Sequence, residues 1–421
     1  MQTAKEINTL AEHLFRTEYG KMVSSLTRIF GIGQMHIAED IVQDTMVKAL
    51  KEWSFNKTPP NPTAWLYVVA KNKAIDHIRR EKNKQKITSD LAYLLESEYT
   101  LSNTVNTLFT EEEIKDNQLR MMFALCHPSL KIEAQITLIL KTLCGFGNDE
   151  IAKALLTNIE TINKRLYRSK EKLRKENIEL IVPKGSKLLQ RLDTILKSIY
   201  LLFNEGYNTS SGKDKVLRQD LCFDAMRLCI LLTENSQTNL PQVNALLALM
   251  CFNASRFNSR TDDEGNIILY KNQNRELWDS GLISRGTFYL SNSTKATVPS
   301  SYHFEAAIAS YYCLSTSFET TDWKTIYNLY KHLVKINPSP IVHLNMAVVN
   351  AYCGNVATAI ADVLALETLN NNHLYFAVLG DLYLLKGEVL LATENYKKAR
   401  FFTKNSKQLK LLTNKIIQTE K

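Results

Sequence analysis

Apolar residues recur along almost the whole chain at intervals of three and four, the spacing that lines one face of an α-helix. Glycine (14) and proline (9) are scarce among the 421 residues, so little interrupts these stripes. The pattern predicts an all-α protein. Helices fill residues 7–85, and a second compact helical unit occupies 117–180. Between them, 86–116 is polar and carries the acidic cluster Glu111, Glu112, Glu113 and Asp116, which reads as a linker. Ile181-Val182-Pro183-Lys184-Gly185 marks a further junction, and helices resume over 186–421. One exception is Thr261–Asn272, where a Glu-Gly-Asn turn and the run Ile267–Tyr270 predict a small hairpin.

The last hundred residues repeat. Gly354 and Gly387 are 33 apart, as are Ala359 and Ala392, and Tyr330, Val363 and Tyr396 fall at the same interval. The unit from Phe376, with Leu379-Gly380, Tyr383, Gly387, Ala392, Tyr396 and Ala399, follows tetratricopeptide spacing. Small residues at Gly380 and Ala392 let two antiparallel helices approach, and Tyr383 and Tyr396 fill the groove. The preceding unit matches less well, with Asn350 at a large-residue position, so two repeats lie within about 341–403 and a third would end at Asn337-Pro338. A final helix sets Leu409, Leu412 and Ile416 against Lys404, Lys407, Lys410 and Lys415, as a cap on a stack of repeats should.

Composition narrows the function classes. A hydrophobic fraction of 45% and a mean hydropathy of −0.20 describe a soluble globular protein. No apolar run approaches the roughly 18–20 residues of a membrane span. MQTAKEINTLAEHLF lacks the apolar stretch of a signal peptide, so the expected location is the cytoplasm, away from membranes. The seven cysteines are scattered and form no CxxC pair, which argues against a disulfide framework or a zinc site. HExxH, P-loop, GxGxxG and GxSxG are absent, so neither an enzyme nor a cofactor is expected.

A net charge of +9 suits an anionic partner, and two runs concentrate it. The first holds Lys71, Lys73, Arg79, Arg80, Lys82, Lys84 and Lys86; the second holds Lys164, Arg165, Arg168, Lys170, Lys172, Arg174 and Lys175. A charge run is ordinarily a solvated helix face. Context lifts both above that reading.

The second run ends a helix-turn-helix pattern. Gly147 caps a first helix, Glu150 reaches back to it, and Ile151, Ala152 and Leu155 face inward. After a turn at Leu156–Asn158, a second helix runs from about Ile159 to Arg174 with Ile162, Leu166, Ser169 and Leu173 as its inner stripe. Glu160, Thr161, Asn163, Lys164, Arg165 and Arg168 then face out. Polar residues near the helix start reach base edges, and later cations neutralise phosphates. In the first run, Asn61 caps a helix with Pro62 at its first position. Trp65, Leu66, Val69, Ile75 and Ile78 form its core side; Lys71, Asn72, Lys73, Asp76, Arg79 and Arg80 form its polar side. Upstream, AEDIVQD opens a helix with Ala38, Ile41, Val42, Thr45 and Ala49 inward, which leaves Asp40, Gln43 and Asp44 on one exposed patch.

AEDIVQD, then WLYVVAKNKAIDHIRR, then a linker and an EIA…KRL helix-turn-helix resembles the extracytoplasmic-function group of RNA polymerase sigma factors over roughly residues 7–177. The tail, with Phe203-Asn204-Glu205-Gly206-Tyr207, Trp278-Asp279 and the repeats, resembles the subgroup bearing a tetratricopeptide-like extension. The resemblance implies that Asp40, Gln43 and Asp44 touch a coiled coil of core RNA polymerase. It implies that Asn72 lies beside the pocket for a flipped base of the −10 element, with Lys71, Lys73, Arg79 and Arg80 on that strand's backbone. Glu160, Asn163, Lys164, Arg165 and Arg168 would engage the −35 element of promoter DNA. Two departures stand out: Met46 replaces a common aromatic, and the loop before Trp65 reads Lys57-Thr58-Pro59-Pro60-Asn61-Pro62. The promoter sequence is therefore not implied. An alternative class is a helix-turn-helix activator with a repeat-based sensor, which leaves AEDIVQD and WLYVVAKN unexplained. A repeat scaffold would have no use for the KRLYR register. The repeats themselves suit a peptide or an intramolecular partner. Phe203–Tyr207 reads as a helix end with Gly206 in the left-handed cap position and its aromatics packed.

Overall fold

The computed structural model describes residues 4–56, 58–83, 98–155, 157–207 and 217–420. Lys57, Lys84, Lys86 and Leu156, and the side chain of Lys82, lie outside the described residues. The chain divides into a unit of residues 1–201 and a unit of residues 202–421. Among the described residues no strand occurs, and a single antiparallel bridge joins Thr261 to Ile267.

In the first unit, α1 (Ala4–Phe30), α2 (Met35–Asn56) and α3 (Pro62–Asn83) share one core. Met22, Val23, Leu26, Ala38, Val42, Leu66, Ala70 and Ala74 are sealed in it because each recurs at helical spacing on its own element. The predicted linker is not bare loop: α4 (Glu98–Thr107) and the start of α5 (Glu111–Leu125) lie within it. Leu101, Val105 and Phe109, four residues apart, drive α4 into the same core, while the Ser, Asn and Thr residues between them disguise the stripe. Glu111, Glu112 and Glu113 occupy the first turn of α5, where the helix dipole favours negative charge.

α5, α6 (Ile132–Thr142), α7 (Asn148–Ala154) and α8 (Ile159–Lys175) make the second lobe. The two lobes of this unit touch. A Cβ at Gly20 of α1 would collide with the Leu143 carbonyl, and Gly145, at φ +69°, lies against Tyr19.

The second unit begins within α9 (Ser186–Tyr207). It continues through α10 (Gln219–Glu234), α11 (Pro241–Ala254), α12 (Ser280–Ser293), α13 (Ser301–Leu314) and α14 (Trp323–Ile336). It ends with α15 (Pro340–Tyr352), α16 (Val356–Leu364), α17 (His373–Leu385), α18 (Val389–Phe402) and α19 (Ser406–Thr419). The predicted hairpin is reduced to the Thr261–Ile267 bridge and its turn, with the Ile268 amide donating to the Arg260 carbonyl and the Gly265 amide to the Asp262 carbonyl, each at 2.8 Å; Tyr270 opens a short 3-10 turn. α9 runs through Tyr207, and Gly206 is a close-approach glycine, not a left-handed cap: a Cβ there would meet Cys222 Sγ at 2.7 Å. The aromatics do pack, Phe203 stacking on Tyr207 at 5.7 Å.

The 33-residue repeat appears as helix pairs α15–α16 and α17–α18. Ala359, Val363, Ala392 and Tyr396 are all fully buried, and Gly354 and Gly387 take φ +95° and +85° at equivalent turns. A Cβ at Gly380 would overlap the Tyr396 ring, which is why this position is glycine. Asn350, odd for its place, is buried and accepts a bond from Asn355 at 2.9 Å. α19 caps the stack through Leu412 and Ile416. Lys415 is not on the solvent side as expected: it pairs with Asp381 at 2.5 Å and lies 5.2 Å from the Tyr396 ring centre.

Candidate nucleic-acid interface

On α2 every predicted inward residue (Ala38, Ile41, Val42, Thr45, Ala49) is buried, and Asp40, Gln43 and Asp44 are exposed together. Asp44 is 71% exposed and receives Lys73 Nζ of α3 at 3.2 Å, so an acidic face and a cationic face meet at that pair. The same face continues into Val47 and Leu50, 49% and 39% exposed. Sequence reasoning passed over both, because an apolar residue on a helix reads as core; the signal was Val47's place three residues after Asp44.

α3 starts as expected. Asn61 Oδ1 accepts the Ala64 amide at 3.0 Å, and Pro62 occupies the first turn, where its missing N–H costs nothing. Leu66, Val69 and Ile78 are buried, while Trp65 is half-buried and meets Trp53 edge-on at 5.4 Å. Asn72, Arg79 and Arg80 are exposed, with Arg79 3.6 Å from Asp76. Lys71 is partly covered and donates to Asn106 of α4 at 2.9 Å. All five −10 candidates thus lie on one helix; Lys71 and Lys73 are engaged by neighbouring helices and Arg79 by Asp76 of its own.

The helix-turn-helix forms from α7 and α8. Glu150 Oε2 accepts the Gly147 amide at 2.8 Å, and Asn158 Oδ1 accepts the Thr161 amide at 2.7 Å, so both helix starts are capped. Ile162, Leu166, Ser169 and Leu173 are buried as one stripe. Glu160, Asn163, Lys164 and Arg168 face out; Lys164 pairs with Glu160 at 2.6 Å, and Asn148 donates to Asn163 at 2.7 Å. Arg165 departs from expectation. It is half-buried, and its guanidinium donates to Thr137 of α6 at 3.2 Å, because its register places it at the margin between stripe and face. Ile159 at the first helical position is 49% exposed and Tyr167 is 70% exposed, and neither was singled out from the sequence as a contact residue.

Six of the seven cysteines are buried, and burial pushes the Cys126, Cys222 and Cys251 thiols up to about 12, which makes them packing residues. Among the described residues no helix is long and apolar enough to cross a membrane.

Fold and faces together define an all-helical protein with a helix-turn-helix and exposed cations on α3 and α8. The sigma-70 region 2 family matches residues 14–84, and a family of unknown function, DUF6596, matches residues 191–294. Over 377 residues the chain is 30% identical to Uncharacterized protein R00370 of Rhizobium meliloti (strain 1021), covering 89% of this chain and 88% of that one. It is 28% identical over 171 residues to RNA polymerase sigma factor YlaC of Bacillus subtilis (strain 168), 39% of this chain and 90% of YlaC. A Probable RNA polymerase sigma factor of Haemophilus influenzae is 22% identical over 159 residues, 34% of this chain and 77% of its own length. No solved structure matches the chain. The chain belongs to the sigma-70 family, in its extracytoplasmic-function group, with a helical C-terminal extension.

Proposed function

We propose that this sigma factor binds core RNA polymerase through the outer face of α2 and directs promoter-specific initiation through α3 and α8. The observation that carries the reading is α2. Its exposed face places Asp40, Gln43 and Asp44 beside Val47 and Leu50, and exposed residues of this kind contribute little to folding. α3, with Asn72, Arg79 and Arg80 exposed, would hold the −10 strand; Lys73 and Lys71 would join once released from Asp44 and Asn106. Capture of an unpaired base supplies strand opening, which costs on the order of a few kcal/mol in unstacking. α8 would read the −35 element, with Glu160, Asn163 and Lys164 at bases and Arg168 at phosphate. Arg165 would act there through the Thr137 bond that sets its position. The protein acts without catalysing a reaction, beside polymerase in the cytoplasm.

We further propose that the tail modulates this activity, as a surface for a peptide or for part of the same chain. A helix-turn-helix activator with a sensor tail is the rival class. The deciding experiment supplies purified core polymerase and this full-length chain, with no other sigma factor, on a promoter library. Discrete start sites support the reading; transcripts only when a second sigma factor is added would sink it in favour of the activator. Comparing full-length protein with residues 1–185 and with a chain ending at Ser339 tests the tail, and equal activity in all three removes its role.

A further inference from the structure

Near the start of the tail, α11 is buried on every side: each residue from Val243 to Phe252 is sealed, so neighbours must cover the whole helix. α10 and α12 both pack on it without packing closely on each other. α12 comes nearest at Gly286, where a Cβ would lie 2.8 Å from Cε1 of Phe252. Between α10 and α12 a pocket of about 330 Å³ remains, with Ile230 of α10 in one wall and Leu247 and Cys251 of α11 in its floor. Leu282, Arg285 and Tyr289 stand at i, i+3 and i+7 on α12, so one stripe of that helix makes the other wall. A stripe with this spacing is ordinarily apolar throughout; here a guanidinium takes its middle position. Among the described residues neither the Arg285 side chain nor the Tyr289 hydroxyl has a hydrogen-bond or ion-pair partner. The charge is felt in the pocket all the same. Burial pushes the Cys251 thiol up to about 12, and Arg285 works against it. Burial also pushes the Tyr289 phenol up, and Arg285 opposes this more strongly than Glu234 adds to it.

We propose that this pocket binds a small amphipathic anion: a carboxylate on an apolar body, its head on Arg285 and its body against Ile230, Leu247 and Cys251. Size and charge select that chemistry. At about 30 Å³ for each water-sized group, 330 Å³ holds on the order of ten heavy atoms, the size of octanoate. None of the residues lining the pocket is a carboxylate, so a cation would find no partner there. A neutral apolar ligand would cover the guanidinium without pairing it, which costs free energy, whereas an anion covers and pairs it at once. A ligand held by α10, α11 and α12 together also stabilises their packing by mass action. As an input to the tail, the site deepens the reading that the tail modulates initiation. Its consequence for transcription rests on that reading; its choice of ligand does not.

The test uses the full-length protein and octanoate, with 1-octanol as the neutral ligand of equal length. Octanoate is expected to bind one site with a Kd on the order of 1 mM, an affinity ordinary for so few atoms, and to raise the tail's thermal midpoint. Octanol is expected to bind about tenfold more weakly, since it lacks the charged head. Arg285→Gln should weaken octanoate about tenfold and leave octanol unchanged, while Arg285→Lys, which keeps the charge, should lose less. Ser284→Trp, which fills the pocket from its exposed rim, should exclude both ligands. Ser284 and Arg285 are exposed, so these variants should keep wild-type helix content and thermal midpoint without ligand. Octanoate that fails to bind, binds no better than octanol, or binds Arg285→Gln as tightly as wild type overturns the site. Binding with the expected dependences, but with promoter-directed initiation unchanged by saturating octanoate, upholds the site and overturns the tail's modulating role instead.

Discussion

Particular cations and their tyrosine neighbours are used in opposite ways in the two units. In residues 1–201, Arg79, Arg80, Lys164, Arg168 and Tyr167 are exposed on α3 and α8. In residues 202–421, Arg260, Arg275 and Lys415 turn in toward aromatic rings. Arg275 donates to Tyr270 and to the Ser315 carbonyl at 3.0 Å each, with its guanidinium 4.9 Å from the Trp278 ring. Arg260 lies 3.7 Å from the Tyr207 ring centre, and Lys415 and Tyr396 both hold Asp381. The exposed cations of α3 and α8 are open to solvent, whereas Arg260, Arg275 and Lys415 of the tail hold its elements together. Net charge does not distinguish these uses; register and burial do.

The sharpest break between the two halves should come in stability. Tyr396→Ala empties a fully buried site against Gly380 and strips Asp381 of its hydroxyl donor. The loss expected is about 3–5 kcal/mol in the tail's unfolding transition, chiefly from the cavity, since Lys415 still holds Asp381. Denaturant titration followed by signals from each unit measures it. A tail transition within about 0.5 kcal/mol of wild type would remove the inward reading of this cluster.

The next effects fall on the outward side. Arg168→Ala should weaken binding to all DNA sequences and lower the salt slope by about one, as loss of a single phosphate contact does, with no change in thermal midpoint. Arg165→Ala sharpens the contrast. Its bond to Thr137 predicts a lost fraction of stability in addition to weaker DNA binding, and a purely electrostatic effect would contradict the half-buried geometry.

What the sequence disclosed follows the range of the interactions involved. Local periodicity sufficed for the stripe Ile162, Leu166, Ser169 and Leu173, for the caps at Asn61 and Gly147, and for the alternation that exposes Asp40, Gln43 and Asp44. The 33-residue spacing sufficed for the helix pairs of the tail. Non-local facts stayed hidden. Nothing near Gly20 announces Leu143, and nothing near Lys170 announces Glu39, so two separable domains were expected where two touching lobes stand. Lys415 follows a lysine-rich helix face by sequence, yet Asp381, 34 residues earlier, draws it inward. α4 was missed because only three apolar residues carry it.

Asp44→Lys tests the acidic face at smaller cost. The charge is exposed and its Lys73 partner is partly solvated, so stability should change by less than about 0.5 kcal/mol. Association with core polymerase should slow and lose salt sensitivity, since rim charges act mainly on encounter. Lowered thermal stability with unchanged polymerase affinity of the folded fraction would make the face structural.

The smallest effect belongs to Ile159. An isoleucine 49% exposed at the first position of α8, the proposed recognition helix, contributes little to the core, because Ile162 and Leu166 already fill the stripe below it. Residues at that end of such a helix reach base edges in the major groove, where the one apolar feature is the thymine methyl. A single methyl contact is worth up to about 0.8 kcal/mol, or roughly fourfold in affinity. Replacing each thymine of the −35 element by deoxyuridine should therefore weaken wild-type binding at one position by up to that factor. Ile159→Ala should bind both versions alike and leave the salt slope unchanged, which separates it from Arg168→Ala. Asn163→Ala and Lys164→Ala should instead shift preference among bases while keeping the methyl effect. If Ile159→Ala still distinguishes thymine from deoxyuridine at the same position, the methyl contact belongs to another residue, and exposed Tyr167 two turns along the helix is the next to test.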